Sequence, residues 1–137
     1  VMSEMIRDDF EDIELLTVLI GFNDYNGEGI DAKTYAKRYV KVLETIREKH
    51  KTTNIFCISL LTTKENTSKK TGIAADEFRK VVKNTVAQLQ AKGDKHIYFI
   101  AGETISTEAD LRDPVHLSVE GANNFADKLM IEINDRN

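Results

Sequence analysis

Apolar and polar positions divide the chain into runs of two different periods. Between Met2 and Phe10, the residues Met5, Ile6 and Phe10 recur at helical spacing among charges, which predicts a short amphipathic helix. The period then changes. Leu15, Leu16, Val18, Leu19 and Ile20 form a nearly continuous apolar run, the pattern of a strand in a parallel sheet covered on both faces, and Gly21 to Gly27 ends it with turn residues. Asp31 is the predicted N-cap of a helix whose stripe is Tyr35, Tyr39, Val42, Leu43 and Ile46, running to about His50 with Lys33, Lys37, Lys41 and Glu44 opposite. A second buried strand is expected from Asn54 to Leu61, carrying Ile55, Phe56, Cys57 and Ile58.

From Thr62 to Gly72 the chain is polar and lysine-rich, without periodicity. It reads as a long surface loop where a strand ends, a place for binding residues or a mobile lid as readily as for a plain connector. The next helix turns Phe78, Val81, Val82, Val86 and Leu89 inward and stops at Gly93, a residue suited to follow a helix end. A strand from His96 to Ala101 and a glycine-bearing loop through Asp113 lead to the last helix. There Ser118 is the expected N-cap, Glu120 lies in the first turn, and Val119, Ala122, Phe125, Ala126, Leu129, Met130 and Ile133 are the expected inner stripe.

The order is therefore α-β-α-β-α-β-α. Strands alternating with crossover helices require a parallel sheet with helices on both faces, an α/β three-layer α/β/α domain whose chemistry gathers at the carboxyl ends of the strands. At 137 residues the chain is the size of one domain, and nothing in it marks a boundary or an internal repeat. Apolar residues at 41% and charged residues at 31% are those of an ordinary globular protein rather than a disordered one. The net charge of −4 and the dispersal of Lys and Arg over helix faces argue against a nucleic-acid or membrane partner. No apolar run approaches spanning length, and no signal peptide is recognisable. The chain opens at Val1 inside a helical pattern, so residues of the same domain are expected to precede it.

Chemistry narrows to two short stretches at predicted strand ends. In Asp113-Pro114-Val115-His116 an aspartate three residues before a histidine can fold back so that its carboxylate accepts the imidazole Nδ1–H, leaving Nε2 free to take a proton. Pro114 restricts its own φ and the conformation of Asp113, so the loop needs little further ordering. Gly21-Phe22-Asn23-Asp24 follows directly after the first buried strand. Elsewhere the candidates are weaker. Cys57 reads as a buried, inert thiol, and His50 and His96 stand apart from acidic clusters, the first explained by contact with a helix dipole and the second by surface placement. Tyr35 and Tyr39 read as packing residues, Tyr25 as a residue of the cleft. No Cys/His spacing suggests a metal and no glycine-rich loop a nucleotide, so no cofactor is expected.

A G-x-N-D block and a D-x-x-H block, in this order and two β-α units apart, resemble two signature blocks of the SGNH hydrolases, the superfamily of the GDSL lipases and esterases. The resemblance implies a flavodoxin-like SGNH hydrolase fold and a serine ester hydrolase acting on a small ester substrate. By it Asn23 would donate to the oxyanion hole, Asp113 would orient the imidazole, and His116 would be the general base. Two other family blocks are missing: the Gly-Asp-Ser that carries the nucleophile and the glycine after the second family strand. Ser3, Ser59, Ser68, Ser106 and Ser118 lack the nucleophile's context. Residues 1 to 12 would match the helix before the family's third strand, so the amino-terminal strands would be absent. The strand from Leu15 to Ile20 would then have an apolar edge that a second chain or fragment could cover. Two other readings compete with the enzyme: a noncatalytic binding module on the same scaffold, and a receiver-like signalling domain, for which only Asp24 speaks.

Overall fold

A computed structural model describes residues 14–136 of the chain. The amphipathic helix expected between Met2 and Phe10 lies outside the described residues, as does Ser3. Three strands, β1 (Leu15–Val18), β2 (Asn54–Ile58) and β3 (Ile97–Ile100), form a parallel sheet in the order β1-β2-β3. Leu16 pairs with Ile55 and Cys57 with Phe99, which fixes the register across the sheet. The crossovers are helices α1 (Ala32–Lys49) and α2 (Ala75–Ala91), and α3 (Val119–Arg136) closes the described chain.

Alternation along each strand separates two cores. On one face Val18, Ile55, Cys57 and Ile97 meet Tyr35, Tyr39, Leu43 and Ile46 of α1 and Phe78, Val82 and Val86 of α2. On the other, Phe56, Ile58 and Ile100 meet Ile133, Phe125 and Leu129 of α3. The expected three-layer arrangement is thus present. Asp31 caps α1 as expected, its carboxylate accepting from the Thr34 amide at 2.8 Å. Ser118 does the same for α3, accepting from Gly121 at 2.9 Å.

Two elements and one histidine differ from the pattern's expectation. Strand β1 is shorter than expected and is not buried on both faces: Leu15, and Leu19 just past its end, are 37% and 40% exposed, because β1 is an edge of the sheet and α3 covers only its neighbours on that side. In α3 the inner line is Gly121, Phe125, Leu129 and Ile133, while Val119, Ala122, Ala126 and Met130 face outward, Val119 being 83% exposed. Their apolar spacing runs along a flank of the helix that has no neighbour among the described residues. His50 is buried rather than merely set against a helix end, whereas His96 is exposed as expected.

Candidate active site

At the carboxyl ends of β1 and β2 the chain forms an open cavity of about 490 Å³. Its walls include Leu19 to Asp24 after β1, Leu60 to Thr63 after β2, and Val115 and His116 from the loop before α3. Asn23 and His116, each singled out from sequence, therefore line the same space.

The first wall rests on the aromatic core. Gly21 has φ +123°, in the region that favours glycine, and a Cβ there would come within 2.5 Å of the Tyr35 hydroxyl. That hydroxyl donates to the Ile20 carbonyl at 2.9 Å, so the floor of the turn is bonded as well as packed. Residues Asn23–Glu28 form a single π-helical turn rather than a plain reverse turn, ended by Gly29 in the left-handed region. Such turns are rare and concentrate at functional sites. Tyr25 does not line the cleft as expected. It is fully buried, its ring set edge-on to Phe78 and Phe22 and its hydroxyl donating to the Glu65 carbonyl at 2.7 Å. A six-residue helical turn brings the tyrosine inward and leaves Phe22 and Asn23 at the cavity. Burial raises the Asp24 carboxyl above its ordinary value, against the pull of the Arg38 guanidinium 3.3 Å away.

The second wall is a closed polar turn. Both carboxylate oxygens of Asp113 lie 3.0 Å from Nδ1 of His116, and one of them also accepts from the amides of Val115 and His116 at 2.9 and 2.8 Å. Hydrogen bonds from these two backbone amides and from His116 hold the Asp113 carboxyl down at about 2. The Arg112 amide donates to the His116 carbonyl at 2.7 Å and closes the loop. A proton on Nδ1 would be held by the carboxylate and would leave Nε2 as an acceptor, on a side chain that is 63% exposed.

The third wall was not singled out from sequence. Arg79, on α2, donates through Nε and Nη2 to the carbonyls of Leu60 and Leu61 at 2.9 and 2.8 Å and fixes the chain leaving β2. An arginine in an amphipathic helix carries no sequence signal for that task. The hydroxyls of Thr62 and Thr63 already donate to the carbonyls of Ser106 and Pro114. None of the described serines lines the cavity: Ser59, Ser68 and Ser106 are buried and Ser118 caps α3. Among the described residues no group of three or more His, Cys, Asp or Glu could hold a metal ion, and no helix is long and apolar enough to cross a membrane. Cys57, a buried residue of β2 with its thiol pushed up to about 12, takes no part in the cavity.

A parallel three-layer domain with a histidine–aspartate pair at the strand ends has the architecture of the SGNH hydrolases. The chain belongs to the GDSL-like lipase/acylhydrolase family, whose profile matches residues 23–134. Solved structures share the fold. A salicylyl-acyltransferase from a tetracycline biosynthetic pathway is 18% identical with a TM-score of 0.72, over 93% of this chain and 40% of that one. A family two carbohydrate esterase from Clostridium thermocellum, in complex with cellohexaose, is 20% identical with a TM-score of 0.71, over 90% of this chain and 36% of that one. A family 3 carbohydrate esterase from the same organism is 20% identical with a TM-score of 0.68, over 88% of this chain and 57% of that one. The chain thus spans about two fifths or less of the first two structures. No curated protein matches it in sequence.

Proposed function

We propose that this chain supplies the base and oxyanion half of a serine ester hydrolase. The observation that carries the reading is the Asp113–His116 pair opening onto the same cavity as Asn23. In this reading a serine from a longer polypeptide, or from a second one, attacks the acyl carbonyl. Nε2 of His116 takes the serine proton, and the Asn23 side-chain amide donates to the tetrahedral oxyanion. The bond to the alcohol then breaks and His116 returns the proton to the leaving oxygen. Water, deprotonated by the same nitrogen, releases the acid and restores the serine.

Family membership supports ester chemistry, and two of the fold's neighbours are carbohydrate esterases. Both lipid and carbohydrate esters suit that chemistry. The exposed Leu15 of β1 and Leu19 just past it, on an edge strand, support a further strand covering that edge, from the same domain or a second chain. A sharp monomer peak in a size measurement on a cooperatively folded 137-residue chain would contradict that cover.

The competing reading is a noncatalytic binding module, favoured by the lack of a serine among the described cavity residues. One experiment separates the two. The product of the gene extended upstream of Val1 should hydrolyse a short-chain nitrophenyl ester, while the isolated chain should be slower by about 10⁶-fold, the cost of losing a triad serine in comparable enzymes. An inactive extended product, or one without a serine reaching His116, leaves the binding module.

A further inference from the structure

The segment after β2 does more than line the cavity: it is tied to both candidate blocks. Toward the π-helical turn, the Glu65 carbonyl accepts from the Tyr25 hydroxyl and its carboxylate accepts from the Asn26 side-chain amide. Toward the histidine loop, the Pro114 carbonyl receives two donors, the Lys64 amide at 2.8 Å and the Thr63 hydroxyl at 3.1 Å. The same Thr63 oxygen accepts from the Glu65 amide at 3.0 Å. Thr63 is 3% exposed, so its hydroxyl exchanges little with water, and both its roles are filled by backbone groups.

Pro114 is the residue between Asp113 and the two amides that Asp113 accepts from. The Thr63 hydroxyl therefore holds the one carbonyl inside the turn that sets how carboxylate and imidazole face each other. We infer that Thr63 is a positioning residue for the Asp113–His116 pair, fixing the His116 ring through Pro114 without touching the reacting atoms. The inference rests on the proposed role of His116, and its test separates the two.

Replacing Thr63 by Val keeps the volume and removes the hydroxyl, leaving the half-buried Glu65 amide without that acceptor and Pro114 with one donor. Replacing it by Ser keeps both bonds. The readout is the tautomer of the neutral His116 ring in the full chain, from long-range ¹H–¹⁵N spectra of the imidazole. The wild-type protein and T63S should hold the proton on Nδ1, and T63V should lower the Nδ1–H to Nε2–H ratio by roughly two- to tenfold, the equilibrium effect of one hydrogen bond. In the extended product, kcat should fall by a similar factor at unchanged KM for T63V and not for T63S. A folded T63V with the wild-type tautomer ratio overturns the positioning role. A wild-type ring protonated on Nε2 overturns instead the role proposed for His116. If T63V does not fold, T63A against T63S gives the same decision: Ala should lower the Nδ1–H ratio and Ser should not, and an unchanged ratio in Ala counts against Thr63.

Discussion

The two stretches that bear the candidate chemistry are held in opposite ways. The turn from Gly21 to Glu28 stands on packed rings: Tyr25, Tyr35 and Phe78 are all fully or almost fully buried, with Tyr35 and Phe78 stacked at 4.5 Å. The loop from Asp113 to His116 has no such floor. Its residues are exposed or half-buried, and it keeps its shape through hydrogen bonds to Asp113, Thr63 and Lys64. In the roles proposed, the oxyanion donor must not move as charge develops, and a rigid apolar base provides that. The proposed base must pass a proton, and a ring aligned by polar partners at the surface suits that role. The contrast predicts that damage to the packed rings beneath the first region is read as lost stability, and damage to the side chains that face the cavity, Asn23 and His116 with its partner Asp113, as lost chemistry without unfolding.

After the loss of His116 itself, the largest expected effect is in the second region. D113N should leave the fold intact and, in the extended product, lower kcat by about 10⁴-fold, because an amide cannot stabilise the imidazolium or hold the right tautomer. An effect below tenfold would remove Asp113 from the proposed pair. Next comes the floor of the first region: F78A should cost about 3–5 kcal/mol in urea denaturation, since the ring is fully buried against two tyrosines. V115A, at the exposed loop, should cost about 1 kcal/mol or less. Equal losses would break the comparison. N23A should lower kcat by about 10²- to 10³-fold with little change in stability, the value of one oxyanion donor.

The smallest effect concerns pH. Asp113 is held down at about 2 from an ordinary 3.8, so folding favours its ionised form. Its contribution to loop order is therefore complete above about pH 4 and is lost as the pH falls through about 2. The amide resonances of Val115 and His116 should titrate with a midpoint near 2, and a midpoint near 3.8 would show that the turn does not hold the carboxylate.

The same contrast explains what could be read from the sequence. The first region was legible in its framework because burial leaves a period: the stripe Tyr35, Tyr39, Leu43 and Ile46 and the cap at Asp31 are all where pattern and local hydrogen bonding put them. Tyr25 was misread because a π-helical turn of six residues, which no periodicity announces, carries it under the sheet. In α3 the apolar spacing extended over Val119, Ala122, Ala126 and Met130, and sequence alone does not say which side of an apolar helix meets a neighbour. In the second region the aspartate and histidine were visible because they are three residues apart. Thr63 was not, because its partner lies 51 residues away and a threonine in a polar loop has no pattern to stand out from.

The most direct measurement replaces His116 by Ala in the extended product and follows a short-chain nitrophenyl ester at saturating substrate, with the fold checked by circular dichroism. The account predicts an unchanged spectrum and a kcat lower by about 10⁶-fold, as for the loss of a triad base in comparable enzymes. Turnover within a few fold of the unmodified protein would contradict it.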